Sequence, residues 1–447
     1  MTERSTSEQT LAKPTEPLRS QGSRRPGVRS NTVVASVSSL VSGLLNAGIL
    51  AYSARQGQTA EIAAYSVMTA ALTWVANLVM GGSSLLYVSG NDEERRAAHS
   101  QRLLVAVPAM ATATLVIAAL YADQGYGLAA LISAGGVMIF NSLADLRFGD
   151  LARQMRFIAA SAAITGTRLL SMVLLVAGAP LTTALLVGAA AYLLSTEILA
   201  CRGADAPPAM WRGLSLRAAG RAFRLSRPLF TYSLAEAFTG RASTIALSLV
   251  ASPQVVGCYG ALVNIYQALV AVTFSGLRVP MAIRTRRRHN LGPKMAISRE
   301  SEVIAVIGAT VIAAGVIAAA PWLTTSLLTL PIPESALWLQ LLALALPFTT
   351  VNRAYTLNRI GDGSYTAATR LALSIGVLLA GALLIQATTL GPTGAAAATT
   401  VAEMLVAGIL VLAAVSRRYR RRGSHRHKPL APEQGRHTAP PVDLIGR

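Results

Sequence analysis

Long apolar runs separated by short polar segments dominate this chain of 447 residues. A membrane-spanning helix needs about 20 mostly apolar residues to cross about 30 Å of hydrocarbon. Twelve runs meet this length, at residues 32–53, 61–89, 103–122, 126–145, 157–177, 181–200, 228–250, 254–281, 302–322, 335–357, 365–388 and 393–415. The pattern predicts an all-α polytopic membrane protein. The second and eighth runs are long enough to tilt or to project beyond the bilayer.

Basic residues are distributed unevenly between the polar segments. The two tails and the segments that follow even-numbered runs carry nearly all of the 40 Lys and Arg residues. The segments that follow odd-numbered runs carry only Arg55, whereas Arg168 and Arg241 fall near the middle of runs. Cytoplasmic loops are enriched in Lys and Arg, so this distribution predicts a multi-pass protein with both termini cytoplasmic. The high Ala and Arg content with few Lys favours a bacterial plasma (inner) membrane.

Composition supports the membrane class and excludes a nucleic-acid partner. The hydrophobic fraction is 53%, the charged fraction 13% and the mean hydropathy +0.48. The formal net charge is +20, but it is spread over tails and short loops. A nucleic-acid-binding protein would concentrate such charge on a folded basic domain.

The chain repeats itself once. Three pairs of matching segments occur in the same order, at 61–66 and 255–260, at 147–150 and 359–362, and at 188–197 and 394–403. The repeats predict two bundles of six helices related by a pseudo-twofold axis along the membrane normal, as in transporters with parallel repeats. The predicted parts are a disordered basic tail (1–30), an N-terminal bundle (31–201), a cytoplasmic connection (202–227), a C-terminal bundle (228–415) and a second disordered basic tail (416–447).

No pattern typical of an enzyme is visible. The predicted outer face offers only three widely spaced carboxylates, and no Ser/His/Asp set or His/Cys cluster is present. We therefore expect no catalytic activity, cofactor or metal.

Two motifs carry a family resemblance. Residues 256–261 read VGCYGA, and residues 390–399 read LGPTGAAAAT. Together with the two six-helix halves, over about residues 30–415, they resemble the multidrug/oligosaccharidyl-lipid/polysaccharide exporter superfamily, and within it the polysaccharide (O-antigen type) flippase branch. The resemblance implies a flippase for undecaprenyl-diphosphate-linked sugars that works by alternating access. The implied partners are a lipid-linked glycan, membrane lipids and polysaccharide polymerases or glycosyltransferases.

The chain departs from relatives in this superfamily at two points. Many relatives carry an acidic residue in the middle of the seventh helix, where this chain has Arg241. This change argues against an inherited cation-coupling role for that position. The lipid II flippases of the superfamily usually have fourteen spans rather than twelve.

The two arginines inside the runs are the main candidate binding residues. Arg168 and Arg241 come one from each half, and an ionisable group at membrane depth must face protein or water. Guanidinium groups bind phosphate through paired hydrogen bonds, which suits a lipid diphosphate in a shared central cavity. Structural ion pairing with Glu197, Glu236 or Glu403 is the open alternative.

Polar residues at helical spacing suggest further cavity-lining positions. The second run carries Thr69, Thr73 and Asn77, and the eighth carries Asn264 and Gln267. Hydrogen bonding between helices is the alternative explanation. The predicted substrate-binding set is Arg168, Arg241, Asn77, Asn264, Gln267, Glu403 and Asn46.

Two other functions stay open at this stage. A cation-coupled multidrug exporter of the same superfamily would share the architecture, although its usual cationic ligands suit an acidic cavity. A scaffold for an envelope-polymer complex would use the tails more than the spans.

Overall fold

The computed structural model describes residues 28–80, 82–83, 87, 92–153, 156–202, 213–288, 300–362 and 364–426, in parts of some helices by the backbone alone. The described residues form an all-helical protein with two bundles of six helices. Nine helices among them are long and apolar enough to cross a membrane. The chain is therefore a multi-pass membrane protein.

The N-terminal bundle contains helices α1 to α6. They are α1 (Val28–Arg55), α2 (Thr59–Met80), α3 (Asp92–Gln101, continued through a π-helical turn at Arg102–Ala106 into Val107–Tyr121), α4 (Leu128–Arg153), α5 (Phe157–Val176) and α6 (Leu181–Cys201). Left-handed Gly178 and extended Pro180 separate α5 from α6.

The C-terminal bundle contains helices α7 to α12. They are α7 (Leu216–Ser248), α8 (Pro253–Arg288), α9 (Glu300–Trp322, followed by a π-helical turn at Leu323–Leu327) and α10 (Ser335–Gly361). The last helical stretch, Tyr365–Arg426, is divided at Gly391, whose backbone has φ 56° and ψ −138°. Since this conformation favours glycine, Gly391 ends α11 (365–390) and Pro392 begins α12 (392–426).

Several helices extend past the predicted apolar runs. α7 begins at Leu216, inside the predicted connection, and α12 continues to Arg426, inside the predicted second tail. The apolar run marks the hydrocarbon layer, whereas a helix continues into water wherever the sequence favours it. Arg and Ala, which are frequent at 216–227, are good helix formers. The remaining tail residues, 1–27 and 427–447, lie outside the described residues.

Twelve helices in alternating directions place the first and last described residues, Val28 and Arg426, on one side, here called the terminal face; the other side is the opposite face. The central helices α2, α4, α8 and α10 supply the main hydrophobic core, with fully buried side chains such as Met68, Leu131, Tyr259 and Leu339. α1 packs on α8, and α7 packs on α2. These contacts are equivalent if each helix of one half corresponds to the helix six places later.

The matching segments at 147–150 and 359–362 lie at the terminal-face ends of α4 and α10. The fourth helix of each half thus carries its matching segment at the same end.

The two halves meet closely near the opposite face. A Cβ atom on Gly257 would lie 2.8 Å from the Thr59 carbonyl oxygen, and one on Gly260 would lie 2.3 Å from Ser66 Oγ. Both glycines belong to the VGCYGA motif of α8, so that motif lets α8 approach α2.

Further contacts join the halves at both faces. On the opposite face, the guanidinium of Arg55 donates to the carbonyls of Ser326 and Leu327 at the end of α9. On the terminal face, Arg221 of α7 pairs with Glu93 of α3. The structure therefore has inter-half contacts at both ends of the α2–α8 crossing.

Candidate functional site

Arg241 lies on α7 within the membrane part of the helix, about 10 Å from its opposite-face end by the rise per residue. Its Nη1 donates to Asn264 Oδ1 of α8 at 2.9 Å. Asn264 is buried, and its Nδ2 donates across the halves to Ser66 Oγ of α2 at 3.2 Å. No carboxylate pairs with Arg241 among the side chains that the structure describes.

Arg168 lies on α5 at a similar depth, about 12 Å from the opposite-face end of that helix. It lines a cavity of about 260 Å³ between α1, α4, α5 and α6. The polar groups around this cavity are Ser42, Asn141, Asp145, Thr167, Ser171 and Tyr192. Within the described part of the chain, the Arg168 side chain makes no hydrogen bond or ion pair.

The two arginines have separate surroundings. The described lining of the Arg168 cavity belongs entirely to the N-terminal half and does not include Arg241. Arg241 instead lies where α7, α8 and α2 meet, at the junction of the halves. The cavity is bounded where α5 and α6 approach closely, since a Cβ on Gly188 would lie 2.0 Å from Ser171 Oγ.

The polar residues of α2 bond mostly to their own helix. Thr69 donates to the Tyr65 carbonyl, Thr73 to the Thr69 carbonyl and Asn77 to the Thr73 carbonyl, at 2.6, 2.6 and 2.8 Å. Such bonds to a carbonyl four residues earlier satisfy the side-chain donor locally. Ser66, one turn from Thr69, accepts a hydrogen bond from Asn264 of the other half.

The other predicted site residues lie on α1 and α8. Asn46 is partly buried on α1, and Gln267 is partly buried on α8 one turn from Asn264. The side chains of Ser275 and Arg278, which continue the polar stripe of α8, lie outside the described residues.

Glu403 belongs to a different cluster, inside the C-terminal half. Its side chain on α12 is buried, and its Oε2 accepts from Asn352 Nδ2 of α10 at 2.6 Å. Tyr266 and Thr349 form a neighbouring hydroxyl pair at 2.8 Å. Arg353 lies close enough for its positive charge to act on Glu403.

Glu197 pairs with Arg147, not with Arg168 or Arg241, among the described residues. Its carboxylate binds Arg147 of α4 through Nε at 2.5 Å and Nη2 at 2.9 Å, while Arg147 Nη1 donates to Asp150 at 3.1 Å. Among the described side chains, Glu197 thus pairs with neither Arg168 nor Arg241, and Glu403 does not pair with Arg241. The side chain of Glu236 lies outside the described residues.

The Arg147 cluster extends to the segment before α3. Tyr87 donates its hydroxyl to Asp150 Oδ1 at 2.8 Å, and Arg95 also binds Asp150. Burial, and to a smaller extent the charge of Asp150, raises the pKa of Tyr87 above its ordinary value. The phenol thus stays protonated as a donor, and the cluster fixes the terminal-face ends of α3, α4 and α6.

Sequence reasoning missed two arginines. Arg353 falls inside the predicted run 335–357, so counting charges by run as well as by segment would have found it. Arg102 directly precedes the third run; its guanidinium is buried and donates to the Ser142 carbonyl at 3.0 Å. Only the packing of α3 on α4 identifies that residue as buried.

Solved structures with a similar fold include membrane transporters. The chain superposes on the lipid II flippase MurJ, in an inward closed conformation, with a TM-score of 0.62 and 13% identity over 86% of this chain and 87% of that one. It superposes on the MATE multidrug transporter DinF-BH with a TM-score of 0.56 and 16% identity over 87% and 95% of the two chains.

A third neighbour is an inward-facing multidrug resistance MATE family transporter of the MOP superfamily, at a TM-score of 0.56 and 15% identity over 90% and 97% of the two chains. No protein-family model matches the sequence. No curated protein matches it either. The chain therefore shares the fold of these transporters.

Proposed function

We propose that this chain is a membrane transporter, not an enzyme, and that it moves a phosphate-bearing lipid-linked glycan across the membrane by alternating access. The observation that carries this proposal is Arg168, a cation at membrane depth that lines a polar cavity without a bonding partner in the described residues. A charged group at this depth costs about 2.5 kcal/mol or more even on the lenient insertion scale. An anionic ligand would offset that cost.

The hydrogen-bonding capacity of Arg241 also supports the proposal of an anionic ligand. Its guanidinium has more N–H donors than the single contact with Asn264 uses. The edge that carries Nε and Nη2 makes no hydrogen bond among the described residues, and a phosphate accepts two parallel hydrogen bonds from such an edge. A diphosphate supplies this chemistry, whereas a neutral glycan does not.

The inter-half contacts at both faces support alternating access. Arg55 and Arg221 each join the two halves, but at opposite ends of the membrane crossing. A transporter of this architecture moves one half against the other around a site between them. Opening toward one face requires one of these contacts to break while the other persists.

A cation-coupled multidrug exporter is the second candidate function. Asp145 lines the same cavity as Arg168, and Glu403 is buried in the C-terminal half. Acidic groups of this kind suit cationic ligands and coupling ions. The arginine at the junction of the halves favours the phosphate-bearing substrate instead.

The proposed setting follows from the charge distribution. Both termini would be cytoplasmic in a bacterial plasma membrane, which makes the terminal face the cytoplasmic one. The substrate would then be an envelope-polysaccharide precursor supplied by glycosyltransferases and consumed by a polymerase.

The decisive experiment measures flipping of a fluorescent polyprenyl-diphosphate-linked sugar in liposomes that contain the purified protein. We expect Arg168→Ala and Arg241→Ala each to reduce the rate at least ten-fold, and Arg241→Lys to restore only part, because Lys keeps the charge and loses the paired geometry. Arg370→Ala is the matched control, since Arg370 is exposed at the terminal-face end of α11. If the Arg168→Ala, Arg241→Ala double variant flips the lipid at the wild-type rate, the proposal is contradicted.

A further inference from the structure

The Asn264 side chain lies between the guanidinium of Arg241 and Ser66 of the other half. Arg241 on one side of it can only donate hydrogen bonds, so the amide oxygen of Asn264 must face Arg241. The amide nitrogen is thereby directed at Ser66 of the N-terminal half. The charged group thus fixes the orientation of the amide and, through it, the hydrogen bond that joins α8 to α2.

This hydrogen bond lies where the two halves are closely packed against each other. Gly260, one turn before Asn264, is packed so closely on Ser66 that a Cβ there would lie 2.5 Å from Ser66 Cβ. Separation of α2 from α8 must therefore break the Asn264–Ser66 bond. The neighbouring Tyr259 and Leu262 are fully buried, so water cannot easily replace that bond in the closed arrangement.

An anion at Arg241 would change what Asn264 does. In the closed arrangement Asn264 presents an acceptor oxygen to the guanidinium, and this oxygen repels a phosphate oxygen that binds beside it. Once Ser66 has moved away, the amide can rotate and donate its N–H groups to the phosphate. The ligand would then gain a donor in the open arrangement that it lacks in the closed one, and only such a differential interaction shifts a conformational equilibrium.

We infer that Asn264 is a positioning residue that couples anion binding at Arg241 to separation of the two halves on the opposite face. The inference rests on the proposed function, because it requires a phosphate-bearing ligand to reach Arg241. It assigns separation of the halves to a change at one amide, which bonds to Ser66 in the closed arrangement.

The test measures the distance between the halves on the opposite face in full-length protein reconstituted in lipid nanodiscs. Spin labels at Gln124→Cys and Val250→Cys report this distance, since both positions are exposed and lie on different halves. The background carries Cys201→Ser and Cys258→Ala. Farnesyl diphosphate is the probe, and farnesol is its uncharged control; equilibrium dialysis measures binding of each.

We expect farnesyl diphosphate, but not farnesol, to increase the longer-distance population in the wild type. Ser66→Ala should increase that population about five-fold without any probe, the amount expected for one lost hydrogen bond. Ser53→Ala is the matched control, because the hydroxyl of this buried serine donates within its own helix, to the Ile49 carbonyl. Asn264→Leu should open the halves at rest as Ser66→Ala does, and it should abolish the further response to the diphosphate.

The outcomes separate the inference from the proposed function. If farnesyl diphosphate fails to bind the wild type, both are overturned. If it binds but shifts Asn264→Leu as much as the wild type, the coupling role of Asn264 is overturned and the proposed function is unaffected. A resting distance distribution in Ser66→Ala that matches Ser53→Ala would show that this bond does not hold the halves together.

Discussion

Arg147 and Arg241 are both enclosed by helices, but their surroundings differ in one respect. Arg147 is 1% exposed and bound by two carboxylates, those of Glu197 and Asp150. Arg241 bonds only to a neutral amide among the described side chains. The first arrangement neutralises the cation within the protein, whereas the second leaves a charge that an external anion could neutralise.

The difference indicates which arginine is structural and which is a candidate for binding. A buried cation with all its carboxylate partners in place fixes the helices that carry them. A cation with a neutral partner lowers stability unless a ligand compensates for it. Arg168, with its polar cavity, resembles Arg241 in this respect rather than Arg147.

The largest expected effect concerns the paired cluster. Arg147→Ala removes the partner of Glu197 and one of the partners of Asp150, and it should lower the free energy of unfolding by about 3–5 kcal/mol, the usual cost of breaking a buried ion pair. Unfolding in SDS measures this. Arg168→Ala in the same assay should cause no loss, because no described partner is left without its bond. Equal losses for the two variants would remove the distinction between them.

An intermediate effect is expected where the halves cross beside Arg241. Gly260→Ala places a Cβ 2.3 Å from Ser66 Oγ, and such overpacking should cost about 1–3 kcal/mol of unfolding free energy. Gly308→Ala is the matched control, because nothing lies within 4 Å of its Cβ position. Alanine should stabilise that helix slightly. If both variants are equally stable, the α2–α8 crossing is looser than its geometry indicates.

The smallest effect is expected at the terminal face, where the Arg221–Glu93 pair is exposed. Its side chains are 56% and 67% exposed, so Arg221→Ala should cost less than about 1 kcal/mol of unfolding free energy. The loss should shrink at high salt, which screens exposed charges. Arg224→Ala, an exposed neighbour on α7, is the control. A loss as large as that of Arg147→Ala would mean that exposure does not explain the difference between the two pairs.

The matched glutamates of the repeat show where sequence spacing misleads. Glu197 and Glu403 follow their GAAA segments at the same spacing, but Glu197 pairs with Arg147 whereas Glu403 contacts Asn352. Arg147 corresponds to Arg359 in the repeat, and Asn352 lies about 10 Å from Arg359 toward the opposite face by the rise per residue. In so Ala-rich a chain, a sequence match can therefore pair residues at different depths.

The sequence alone determined the helices and their division into two bundles. The membrane-crossing part of each helix requires only a long apolar run, and Gly391 and Pro392 separate the last two helices through their own backbone preferences. The VGCYGA motif was also visible, although its role in bringing α8 against α2 was not. The sequence further identified Arg168 and Arg241 as charges at membrane depth.

Only the tertiary structure decided the partners of those charges. Helical spacing shows which residues share a face of one helix, but the identity of the neighbouring helix depends on how all twelve pack. Packing directed Arg241 to Asn264, left Arg168 on a cavity of the N-terminal half, and placed Glu403 beside Asn352. A charge in a membrane is stabilised by groups within a few ångströms, and these groups come from helices that are distant in sequence.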